Sequence, residues 1–129
     1  MNRDDMVRRV MQRIGARDLE EAEMATRSVL AALTDGISRN EAQDLASQLP
    51  QEFADFVTTR MGYAAPAREV SMESFVDRIQ SDLDLETWDQ GERVARGVFA
   101  VLKEAISPDE VEDVARELPT ALRDVLVAS

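Results

Sequence analysis

Slid 69 positions along itself, this 129-residue chain lies over its own second half without a gap. Leu33, Ile37, Ser38, Glu41, Asp44, Leu49 and Pro50 fall on Leu102, Ile106, Ser107, Glu110, Asp113, Leu118 and Pro119. Further identities join Val7 to Val76, Arg9 to Arg78, Glu23 to Glu92, Arg27 to Arg96, Val29 to Val98, Ala31 to Ala100, Ala46 to Ala115 and Asp55 to Asp124. A repeat of this length is one small helical unit used twice. A unit of about 60 residues is near the lower limit at which a core supports itself alone, so the two copies are expected to share burial. The expected architecture is all-α: two tandem four-helix repeats, packed as one pseudo-twofold domain. Residues 1–61 form the first repeat, 62–70 a linker and 71–129 the second repeat.

The helix boundaries follow from local chemistry. Met6, Val7, Val10, Met11 and Ile14 recur at helical spacing and predict a first helix over Arg3 to Ile14, copied by Phe75, Val76, Ile79 and Leu83. Asp18-x-x-Glu21 and Thr87-x-x-Gln90 read as capping boxes opening the second helix of each repeat. Gly36 suits a left-handed helix end, although its copy is Ala105. Ser38 and Ser107 then cap the third helices, Glu41 and Glu110 complete their boxes, and Pro108 occupies a first helical position where its missing N–H costs nothing. Each third helix stops at a Leu-Pro corner, because proline disfavours helix for the residue before it. Met61 to Glu69 has no helical period and contains Gly62 and Pro66, which marks it as the linker.

Composition removes whole classes of chemistry. The chain contains no cysteine and no histidine, which excludes disulfides, Cys/His zinc sites and imidazole acid–base catalysis. No apolar run approaches the about 18 residues that a membrane span requires. The opening Met1-Asn2-Arg3-Asp4-Asp5 lacks the apolar centre of a signal peptide, so a cytoplasmic location is expected. The net charge of −11 repels phosphate backbones and argues against nucleic acid as a partner. Most of that charge lies in the second half.

The context Ile-Ser-x-x-Glu-x-x-Asp-x-Ala-x-x-Leu-Pro, together with Phe75-Val76-x-Arg78-Ile79, resembles the family catalogued as domain of unknown function 2267. The resemblance covers about Met1 to Val127. It implies a helical fold built from a duplicated unit and brings with it no activity, substrate or catalytic residue.

The charged residues shared by both copies have structural explanations. Glu23–Arg27 and Glu92–Arg96 are spaced as helical ion pairs with the acid N-terminal, the favourable order. Asp44 and Asp113 are placed to meet an arginine from a neighbouring helix. The run Asp82 to Glu86 fails as a calcium loop, since its sixth and twelfth positions are Thr87 and Arg93 rather than glycine and a bidentate acid. Arg3, Arg8, Arg9, Arg13 and Arg17 form a basic stripe expected to face acids of the second half. Trp88 is expected in the core or as a half-buried helix start. No catalytic, cofactor-binding or metal-ligating residue is assigned. The expected function is that of a non-catalytic protein-interaction or accessory module, partnered by another protein, with a homodimer left open. The alternative is a small-molecule or lipid-like binder using a cleft between the repeats. A contiguous exposed apolar patch would favour the first and a cavity between the copies the second. Three carboxylates converging from different helices would reopen an enzymatic reading.

Overall fold

The computed structural model describes residues 1–63 and 70–129, apart from the Tyr63 side chain. Among the described residues it contains eight α-helices and no strand. They are α1 (Arg3–Ile14), α2 (Leu19–Asp35), α3 (Arg39–Gln48), α4 (Gln51–Tyr63), α5 (Met72–Asp82), α6 (Trp88–Ala105), α7 (Pro108–Arg116) and α8 (Thr120–Ala128).

Short polar side chains start most of these helices. Asn2, Asp18, Ser38, Ser71, Thr87 and Ser107 each accept a hydrogen bond from the backbone N–H three residues on, satisfying a donor the helix itself cannot. Helix ends are set by backbone geometry. Gly15 adopts a left-handed conformation after α1, and Asp84, 69 positions on, does the same after α5. Leu49 is extended before Pro50, the corner expected of a Leu-Pro pair.

Two local expectations are revised. Gly36 is not left-handed; it closes α2 with φ −98°. A Cβ there would collide with a methyl of Val70, so close packing rather than backbone conformation calls for glycine. Helix α4 also runs through Met61, Gly62 and Tyr63, which lack a helical apolar period and so read as linker. The remaining linker positions, 64–69, lie outside the described residues.

The packing joins the two halves intimately. Helix α1 lies against α2 and α6, and α5 lies against α6 and α2. Helices α3 and α4 pack together, as do α7 and α8, while α3 meets α7 and α2 meets α6. One continuous core results, with Met6, Leu30, Leu33, Phe53, Phe75, Phe99, Leu102 and Leu122 completely or almost completely buried. Gly97 permits a close approach of α1 to α6, since a Cβ there would collide with the Ile14 side chain. No helix among the described residues is long and apolar enough to cross a membrane.

Candidate functional site

The most unusual chemistry lies where α3 crosses α7. Glu41 and Glu110 open these helices on the stripe that also carries Ala42, Leu45 and Ala46 in one and Val114 and Ala115 in the other, all buried. The two glutamates are buried with that stripe, at 8% and 4% exposure. In each, Oε2 is sealed from solvent and has no hydrogen-bond partner among the described residues. One carboxylate oxygen from each of Glu41, Glu110 and Asp113 lies within 4.8 Å of the others. Burial, together with the carboxyls of Glu41, Asp44 and Asp113, pushes the Glu110 carboxyl up to about 8.

The expected capping boxes do not form here. The Ser38 and Ser107 hydroxyls do receive the Glu41 and Glu110 N–H groups, both at 3.2 Å. The return bonds come from elsewhere. The Ser38 N–H donates to Glu117 at the end of α7, and the Ser107 N–H donates to Gln48 at the end of α3, each at 2.6 Å. Glu117 and Gln48 stand 69 positions apart in sequence. Each third helix is therefore closed by the far end of the other, and the two glutamate side chains are left to face one another. The box expected at Asp18 is also incomplete, because Glu21 turns to Arg17 at 2.9 Å. The box at Thr87 is complete, and Ser71 with Ser74 forms one that the sequence reading missed.

Elsewhere between the halves, opposite charges meet. Arg9 and Arg13 of α1 reach Glu104 at the end of α6, at 2.6 and 3.2 Å. Arg78 of α5 reaches Asp35 at the end of α2, where Arg60 also binds at 2.7 Å. Burial alone would raise the Asp35 carboxyl, but the two guanidiniums outweigh it and hold it below its ordinary value. Of the basic stripe, expected to face the second half, only Arg9 and Arg13 meet an acid there among the described residues. Arg3 pairs with Glu23 and Arg17 with Glu21, both of the first half and nearer in sequence. The helical pairs Glu23–Arg27 and Glu92–Arg96 are present at 3.6 and 3.1 Å. Asp113 meets Arg116 of its own helix rather than an arginine of a neighbour. Trp88 is half-buried at the start of α6.

A cleft of about 620 Å³ opens between the α1–α2 corner and the α5–α6 corner. Four matched positions of the two halves line it: Ile14 and Leu83, Glu21 and Gln90, Met24 and Arg93, Ala25 and Val94. The floor is apolar and the rim is charged, with Arg17, Glu20 and Asp84 adding to it. The chemistry differs from wall to wall, since Met24 and Glu21 face Arg93 and Gln90. Arg93 has no ion-pair partner among the described residues, whereas Arg17 is held by Glu21.

The capping residues and apolar stripes were legible as sequence, because each acts within a few residues of itself. The Glu41–Glu110 contact was not. Its one sequence signal was a glutamate standing on a buried stripe in both copies, and that signal was absorbed by the capping motif.

The architecture is that of an all-α protein of eight helices, counted among the described residues, whose halves meet across a buried pair of acids. The chain belongs to the family described as Uncharacterized conserved protein (DUF2267), whose model matches residues 3–125. No curated protein matches the sequence.

Proposed function

We propose that this chain is a non-catalytic binding module of two tandem four-helix repeats, and that the cleft between them takes a small amphipathic ligand. The repeats are related by a pseudo-twofold axis. Matched helices begin 69 residues apart throughout, at Arg3 and Met72, Leu19 and Trp88, Arg39 and Pro108, and Gln51 and Thr120. The inter-repeat contacts are reciprocal, α1 on α6 answering α5 on α2.

The cleft carries the binding reading. Its volume of about 620 Å³ falls in the range of small-molecule sites, about 300–1,000 Å³. An apolar floor beneath a rim of charges suits a ligand with an apolar body and a polar end, with Arg93 available to an acidic group. A protein partner would be favoured by a contiguous apolar surface. The large apolar side chains exposed among the described residues are Met1, Leu19, Met24 and Val127, of which Met24 lines the cleft itself. Three carboxylates do converge from α3 and α7, but Oε2 of Glu41 and of Glu110 is sealed from solvent, which favours a structural role over catalysis.

Anilinonaphthalene sulfonate, which joins an apolar body to an anionic group, is a suitable probe. Saturable binding of one dye per chain is expected, with amide shifts confined to residues around Met24, Leu85 and Arg93. Arg93→Glu and Met24→Glu should weaken it while leaving the circular dichroism unchanged. Unsaturable binding, or shifts centred elsewhere, would overturn the reading.

A further inference from the structure

We propose that Glu41, Glu110 and Asp113 form a binding site for one hard divalent cation of calcium size, clamping α3 to α7. The cluster is more than a group of acids. Glu41 and Glu110 are both more than nine-tenths buried, and in each the carboxyl group that joins the cluster keeps a sealed oxygen, Oε2, without a hydrogen-bond partner among the described residues. A carboxylate taken out of water is costly unless a counter-charge or hydrogen bonds replace its hydration. No arginine or lysine among the described residues forms an ion pair with either glutamate, although eleven ion pairs are formed elsewhere. Arg116 pairs with Asp113 at the outer side of the seam, but no positive side chain among the described residues reaches the two buried glutamates.

The donor set selects the ion. All the ligands are carboxylate oxygens, the preference of hard cations rather than of zinc or copper. Oxygens on one ion cannot stand farther apart than twice the metal–oxygen distance, which is about 4.2 Å for magnesium and about 4.6–5.2 Å for calcium. The separation of at most 4.8 Å lies within the span of one calcium ion, and carboxylates held on two packed helices suit the flexible coordination of calcium better than the near-ideal octahedron and retained waters of magnesium. Three carboxylates supply up to about six oxygens if all bind bidentately, the lower end of calcium coordination. Asp113 is only partly buried, and the exposed Asp44 of the facing helix acts electrostatically on Glu110, so the outer side of the cluster is acidic.

The test uses the full chain stripped with a chelator, in mildly alkaline buffer. Calcium, manganese and magnesium chlorides are compared with sodium chloride at matched ionic strength, reading stoichiometry by equilibrium dialysis and melting temperature by circular dichroism. One calcium per chain is expected, with a melting rise of several degrees that sodium does not reproduce and magnesium only partly matches. Glu41→Gln and Glu110→Gln keep the side-chain shape, remove a ligand charge and should abolish both effects. The half-exposed Asp113→Asn should weaken binding even if a buried variant fails to fold, and the surface change Glu52→Gln should leave it intact. Absence of saturable calcium binding would overturn the proposal. So would binding that survives all three cluster substitutions, or stabilisation equally produced by sodium. Ligand binding at the distant cleft is scored separately with the dye, so either site can fail without the other.

Discussion

The two halves meet along two kinds of seam, and these treat charge in opposite ways. Along the α1–α6 and α5–α2 seams, Arg9 meets Glu104 and Arg78 meets Asp35. Along the α3–α7 seam, Glu41 meets Glu110. The proposed duplication, with its proposed twofold axis, accounts for both outcomes. Away from the axis, a residue of one copy meets a different position of the other, so an arginine can be matched with an acid, and the match occurs twice. On the axis, a residue meets its own copy. Whatever charge it carries is then doubled rather than cancelled, unless a proton or an ion intervenes.

That contrast can be broken by substitutions of decreasing effect. The largest losses belong to the common core that both seams share. Leu33→Ala and Leu102→Ala, at fully and almost fully buried matched positions, should each cost about 2–5 kcal/mol in chemical denaturation. A loss near 0.5 kcal/mol in only one of them would mean that the halves are not equivalent in packing.

Next comes the pH response of the like-charged seam in cation-free buffer. The Glu110 carboxyl in the folded protein lies above its ordinary value of 4.5, near 8. The folded form therefore holds the proton more tightly than the unfolded chain. The stability this contributes is complete below pH 4.5 and is lost as pH climbs to about 8. A tenfold difference in proton affinity between the two forms corresponds to about 1.4 kcal/mol, so a decline of more than about 1 kcal/mol is expected. Glu110→Gln should flatten it and melt higher than the parent at alkaline pH. A parent curve already flat between pH 5 and 8, the range of about 5–8 in which proteins are usually most stable, would count against the buried pair.

The oppositely charged seam should respond in the reverse sense. Asp35 is held below its ordinary value of 3.8, so its contribution is present above that pH and is lost in acid as the carboxylate takes up a proton. Asp35→Asn strands Arg60 and Arg78 together and should cost about 1 kcal/mol, discounted because all three side chains keep some solvent. Glu104→Gln, whose arginines are half-exposed, should cost less. Equal losses at the two sites would remove the distinction drawn between them.

The smallest effects belong to the exchanged caps. Gln48→Ala and Glu117→Ala each free one backbone N–H at a helix start, a change of about 1 kcal/mol or less. A double variant should lose about the sum, since the two bonds lie at opposite ends of the seam. A loss well beyond the sum would show that the caps hold α3 and α7 in register together.

Features settled within one turn of helix were readable from sequence. The start of α1 at Arg3, the caps at Ser38 and Ser107, and the Leu-Pro corners all stand where their chemistry placed them. The errors arose where a residue had two possible partners. Glu41 fitted a capping box three residues from Ser38, and only the arrival of Glu117 from the other half released it. Gly36 fitted a left-handed turn, yet the demand came from Val70. The cleft was legible only as an alternative, because its walls come from corners nearly 70 residues apart. Nothing local distinguishes such corners from ordinary turns.

The exchange of caps between α3 and α7 also sets an order of events during synthesis. The Ser38 N–H waits for a residue 79 positions later in the chain, while Ser107 finds Gln48 already made. At about 5–20 residues per second, α3 emerges several seconds before its closing partner. The first half is thus completed last, by the end of the second.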